Sequence, residues 1–153
     1  MVLLTRPGEV AFQKDGDVQP TVMGGTQHAV RFSPAELAPF AGRTHLLTHN
    51  HPTDSSLTLD DVMVMAFLNV EEGNAFRHDV RYRLIRLVEH WPAPDDLRRE
   101  FARLDREVRL VLGALVRARR MTPQDAAAAH LHAVWTRFAD ERQNEYAYVR
   151  ERR

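Results

Sequence analysis

Apolar positions change their period along this chain. Up to about residue 90 they come in short runs or alternate; beyond it they recur at helical spacing. Residues 9–13 (Glu-Val-Ala-Phe-Gln) predict a short strand, with Asp15-Gly16 as a hairpin-type turn after it. Gly24-Gly25 is a flexible break, and Ala29 to Phe32 predict another strand. Ser33-Pro34-Ala35-Glu36 then starts a short helix that ends near Gly42, with serine as N-cap, proline at the first helical position and glutamate at the third. Thr44 to Thr48 predict a buried strand, and residues 53–57 a polar loop.

Thr58 is a good N-cap with Asp61 at the capping-box position. The following run, Val62 to Leu68, is apolar on nearly all sides, as in a buried helix, and Gly73-Asn74 ends it. Residues 75–78 and 81–87 predict a hairpin around Asp79. After Trp91-Pro92-Ala93-Pro94 the pattern turns helical: Leu97, Phe101, Leu104, Val108, Val111, Leu112 and Leu115 mark a helix over residues 95–120. Met121-Thr122-Pro123 breaks it. A second long helix is predicted from there to about Arg150, its stripe made by Leu131, Val134, Trp135, Phe138 and Tyr146. The fold class is therefore α+β: a small mixed β-sheet with helices over residues 1–91, then a C-terminal helical hairpin over 92–153 packed on the same core.

Composition narrows this reading. With 44% hydrophobic residues the chain supports a real core, and no run approaches the roughly 18 to 20 apolar residues of a membrane span. The N-terminus lacks the basic segment and apolar length of a signal peptide, and the absence of cysteine excludes disulfides and thiolate metal sites, so the expected location is cytoplasmic. The 21 basic and 21 acidic residues cancel, which argues against nucleic-acid binding driven by net charge. Oligomeric state is open, and the broad apolar face of the 62–68 helix permits a dimer.

The candidate chemistry lies in Thr48-His49-Asn50-His51-Pro52 and Thr58-Leu59-Asp60-Asp61. Side chains on an extended segment alternate, so His49 and His51 lie on one side and both reach one ion. Asp61, in the first turn of the next helix, faces back toward them. Two imidazoles, a carboxylate and a water make an open, four-coordinate zinc site of catalytic type. Glu9, on a neighbouring strand, is the upstream candidate for general acid/base, and Ser56 or Thr58 for hydrogen-bonding a developing oxyanion. Asp61 also reads as a plain helix-capping acid, and Thr58 as its cap. His130 and His132, two apart on a helix, point about 200° from each other and do not chelate jointly. Trp135, Phe138 and Tyr146 read as core contacts, and Arg77, Arg81, Arg83 and Arg86 as a solvated strand face.

This constellation resembles the JAMM (MPN-type) metalloprotease family: an upstream glutamate, His-x-His-Pro, a serine and an aspartate. Those fall here on Glu9, His49-Asn50-His51-Pro52, Thr58 and Asp61. The His-Asn-His-Pro variant followed by Ser-Ser-Leu-Thr looks still more like the JAMM-like domains at the ends of some phage head-morphogenesis proteins and bacterial polymorphic toxins. Ala75-Phe76-Arg77, Tyr82-Arg83-Leu84 and a tail with His132, Trp135 and Tyr146 extend the likeness. Six residues separate His51 from Thr58 where the family usually has seven, the serine is a threonine, and Asp60 is an alternative to Asp61 one residue out of register. The resemblance implies a cytidine-deaminase-like layering of sheet and helices, bound Zn2+, and hydrolysis of a peptide or isopeptide bond in a protein or peptide substrate. Two other classes stand beside it: a metal-dependent nuclease or toxin domain, whose arginines would hold phosphate, and a non-catalytic protein-binding module on the same scaffold.

Overall fold

The computed structural model describes residues 9–14, 21–24, 32–41, 44–51, 56–77 and 79–152. Its elements run β1 (Glu9–Lys14), β2 (Thr21–Gly24), α1 (Pro34–Leu37, continued by a 3-10 turn over Ala38–Phe40), β3 (Thr44–Asn50), α2 (Leu59–Leu68), β4 (Glu72–Arg77), β5 (Val80–Arg86), α3 (Pro94–Arg117), α4 (Pro123–Glu141) and β6 (Tyr146–Arg152). The six strands form one mixed sheet in the order β2-β1-β3-β4-β5-β6. β3 and β4 are parallel and α2 makes their crossover; every other neighbouring pair is antiparallel. The α+β class read from the sequence is the class of the fold.

Local chemistry explains most of the boundaries. Ser33 and Thr58 each close a capping box with the acid three residues on, Glu36 and Asp61. Thr122 caps α4 by accepting from the Asp125 N–H, with Pro123 at the first turn.

The register sorts the sheet into two unlike faces. Ala75, Tyr82, Leu84, Tyr146 and Tyr148 share one face with Leu47 and His49. The helices cover it. Tyr146 packs on Phe138, Tyr82 on His132, and Trp135 is enclosed by Phe101 and Phe138. Gly73 lies against α2 there: a Cβ at that position would overlap the Sδ and Cε end of the Met65 side chain, which would have to shift. The opposite face carries charge. Arg83 donates to Glu72 (2.8 and 3.0 Å) and Glu151 (3.1 Å), while Arg81 donates to Glu72 (2.9 Å) and Asn74 (2.7 Å). Burial would raise the Glu72 carboxyl; the hydrogen bonds and charges of Arg83 and Arg81 outweigh it and hold the group below its ordinary value.

Three expectations are corrected. The second long helix stops at Glu141, and residues 146–152 form β6 against β5, so the C-terminal region is a helical hairpin followed by a strand of the main sheet. α2 ends at Leu68 with Asn69 in the left-handed conformation (φ 56°), which places Gly73-Asn74 inside β4 rather than at a helix stop. Thr21–Gly24 forms β2, so Gly24 is the end of a strand paired with β1 rather than part of a flexible break. The predicted turn at Asp15-Gly16 and most of the predicted strand from Ala29 lie outside the described residues. Among the described residues, no helix is long and apolar enough to cross a membrane.

Candidate metal centre

β3 runs through His49 to Asn50, and the His51 N–H donates to the Phe76 carbonyl at 2.9 Å, which carries the β3–β4 pairing one residue further. The backbone therefore stays extended across both histidines and delivers them to the same side. Their ring centroids stand 4.6 Å apart and their Nε2 atoms 2.6 Å apart. His49 is buried; His51 and Asp61 are half-buried.

The third group arrives from α2. Asp61 Oδ1 is 3.2 Å from His49 Nε2, and Oδ2 is 3.3 Å from His51 Nε2. Oδ2 also accepts the Thr58 N–H (2.7 Å) and the Thr58 hydroxyl (2.7 Å), while the Thr58 hydroxyl accepts the Asp61 N–H (3.2 Å). One carboxylate thus serves both the cap and the cluster: Oδ1 faces His49, while Oδ2 closes the capping box and also faces His51. Burial acts to raise the Asp61 carboxyl, but the charges and hydrogen bonds of His49 and His51 prevail and hold it well below the usual carboxylate range.

One donor atom from each of His49, His51 and Asp61 lies within 4.8 Å of the others. Donors held tetrahedrally by zinc at about 2.0–2.1 Å stand about 3.3–3.4 Å from one another. The two imidazole–carboxylate spacings match that figure; the imidazole–imidazole spacing of 2.6 Å is tighter. His49 Nδ1 is buried with no hydrogen-bond partner among the described residues. Two imidazoles and a carboxylate are a donor set that could hold a metal ion, three protein ligands where a closed structural zinc site has four.

The other sequence candidates fall as follows. Asp60 is exposed and stands apart from the group. Glu9 lies in β1, paired with Gly24, and Val10 is the residue directly across β3 from His49; the Glu9 side chain lies outside the described residues. The Thr58 hydroxyl is engaged with Asp61. Ser56 is buried, and its Oγ meets the Tyr148 hydroxyl at 2.5 Å. His132 reaches the same phenol through Nδ1 at 3.2 Å, and burial, with the nearby Arg150 charge, lowers its pKa. Trp135 Nε1–H donates to the Leu57 carbonyl at 2.6 Å. His130 lies elsewhere, 2.9 Å from Asp105 across the α3–α4 hairpin. Arg81 and Arg83 are paired with Glu72 and Glu151, and Arg86 donates to main-chain carbonyls including Asn69 at 3.1 Å.

A helical reading of residues 123–150 passes over Tyr148, which the strand β6 brings to the site. The alternation Tyr146-Ala147-Tyr148-Val149 after Gln143-Asn144 is the signal for a strand with two tyrosines on one face. No protein-family model, curated protein or solved structure matches this chain.

Proposed function

We propose that this chain is a zinc-dependent, JAMM-like hydrolase acting on a peptide or isopeptide bond. The observation that carries the reading is the convergence of His49, His51 and Asp61, with Asp61 Oδ1 turned to His49 and Oδ2 shared between His51 and the cap. Zinc held by these three residues would supply a Lewis acid for the scissile carbonyl and activation of a water.

The remaining steps belong to the chain. His49 and His51 would hold the ion through their imidazoles, fixed by the extended backbone that the β3–β4 ladder enforces. Asp61 supplies negative charge and is oriented by Thr58. Glu9 is assigned the acid/base role: it takes a proton from water as hydroxyl adds to the carbonyl carbon, then returns it to the amine as the C–N bond breaks. Thr58 and Ser56 act through what they hold, Asp61 in one case and the approach to α2 in the other. The pairing of Arg81 and Arg83 with Glu72 and Glu151 takes support from the nuclease reading, since it engages the guanidiniums that would bind phosphate.

A second reading, a non-catalytic protein-binding module on the same scaffold, is favoured by one observation. The hydroxyls of Ser56 and Thr58 are both engaged inside the protein, away from an oxyanion.

The test is elemental analysis of untagged protein beside His49→Ala and His51→Ala, followed by a screen of fluorogenic peptides and lysine isopeptides with zinc and with chelator. One zinc per chain, lost in both variants, with chelator-sensitive cleavage, is the expected result. Zinc without cleavage selects the binding module, and folded protein that takes no zinc removes the proposal.

A further inference from the structure

We propose that the C-terminal helix and strand are part of the metal centre, with Tyr148, backed by His132, a positioning residue that sets Asp61 through Ser56. This rests on reading His49, His51 and Asp61 as metal ligands.

Two ligands sit on one strand and are fixed relative to each other by its backbone. The third lies beyond a connection that leaves β3 after His51 and enters α2 at Leu59, so its placement depends on how that connection is anchored. Its last three residues each have a separate hold. Ser56, 1% exposed, is held by the Tyr148 hydroxyl. Leu57, 0% exposed, is held by the Trp135 indole N–H on its carbonyl. Thr58 is held by Asp61 itself. The first two holds come from β6 and α4, 92 and 78 residues away in sequence.

Tyr148 is well placed for this. Its hydroxyl lies between Ser56 Oγ and His132 Nδ1, and its ring stacks on Tyr82 at 6.4 Å with planes 11° apart. Tyr82 is in turn level with Ala75 and His49 across the sheet. One face of the sheet therefore carries two of the ligands and the anchor of the third. A buried hydroxyl–hydroxyl contact stabilises little more than an apolar pair of the same shape, but it constrains distance and direction far more tightly. That is the property a ligand-bearing connection needs.

The test is titration of the full chain with Co2+ and Zn2+ in four forms: unaltered, Tyr148→Phe, Ser56→Ala and the double variant, with thermal melts of each without metal. The expected result is one Co2+ per chain with a visible ligand-field band in the unaltered protein. Both single variants should shift that band and weaken Zn2+ binding about tenfold, in line with groups that orient ligands without touching the metal. The double variant should be no weaker than Tyr148→Phe alone, because Ser56→Ala cuts a bond that Tyr148→Phe has already removed. Should one variant fail to fold, the other decides, since each removes the contact from its own side. Unaltered affinity and spectrum in the single variants, or fully additive losses in the double, would overturn the positioning role and leave the metal centre standing. A chain that takes up neither ion would overturn both.

Discussion

Replacing Asp61 by asparagine keeps a carbonyl oxygen for the helix cap and removes the charge that a metal needs. Replacing Thr58 by alanine does the reverse: it opens the capping box, in which the Thr58 hydroxyl accepts the Asp61 N–H at 3.2 Å and donates to Oδ2 at 2.7 Å, and leaves the carboxylate in place. Loss of an N-cap hydroxyl costs about 1 kcal/mol, which for a chain of this size lowers Tm by about 2–4 °C. Apparent binding energies for four-ligand zinc sites run at about 10–16 kcal/mol, so one ligand corresponds to about 3–4 kcal/mol, or roughly 100- to 1,000-fold in affinity. At a zinc concentration about 100 times the unaltered Kd, binding stabilises the fold by about 2.7 kcal/mol, a rise in Tm of about 5–11 °C.

Asp61→Asn at the same zinc concentration is then at or below half-saturation, gains at most about 0.4 kcal/mol and rises by about 1–2 °C. Thr58→Ala should start lower and still show most of the full rise. Differential scanning calorimetry with and without zinc reads both quantities in one series. If Asp61→Asn retains the full zinc-dependent rise, Asp61 is a helix cap and nothing more, and the site loses its third ligand.

Three further outcomes are expected. Glu72→Gln should lower Tm at neutral pH, since it weakens the acceptor of three guanidinium hydrogen bonds; because the folded carboxyl lies below its ordinary value, its contribution is fully present above about pH 4.5 and disappears as pH falls through the folded value. Melts from about pH 3 to 7 should show the gap to the unaltered protein closing on the acid side, and a constant gap would refute the charge argument. Gly73→Ala should cost about 1–3 kcal/mol by denaturant titration, because the end of the fully buried Met65 side chain must shift to make room for its Cβ; a neutral result would mean Met65 repacks freely. Trp135→Phe should cost about 2–4 kcal/mol, combining lost ring volume with a Leu57 carbonyl left buried and unpaired, and a loss under about 1 kcal/mol would show that carbonyl finds another donor.

How much of this was legible in the sequence depends on how local each signal is. The capping boxes at Ser33 and Thr58 could be read because a cap and its acid lie three residues apart and need no other part of the chain. His49, His51 and Asp61 could be brought together for a similar reason: strand alternation fixes the first two, and the first turn of a helix fixes the third. β6 could not. Tyr146-Ala147-Tyr148-Val149-Arg150 satisfies a helical spacing through Tyr146, Val149 and Arg150 as readily as an alternating one through Tyr146, Tyr148 and Arg150. The pairing with β5, from Arg86 opposite Tyr146 to Val80 opposite Arg152, decides between them, and that partner is 60 to 72 residues upstream. The end of α2 failed differently. Gly73 looked like a stop signal, yet it serves close approach of Met65 to the sheet, and Asn69 does the stopping in the left-handed conformation.

The missed strand bears on the site as well as on the fold. A helical tail ending near Arg150 gives no account of how the connection after His51 is held, and leaves Ser56 as a hydroxyl available to a substrate. With β6 in place, Tyr148 stands on the same sheet face as His49, and Ser56 turns inward to meet it. The local part of the site, two histidines and a capped aspartate, is written in about a dozen consecutive residues. The part that fixes one half of it against the other is contributed from α4 and β6 by Trp135, His132 and Tyr148. A truncation that removed residues 142–152 would accordingly strip the anchor from Ser56 while leaving every proposed ligand in the chain.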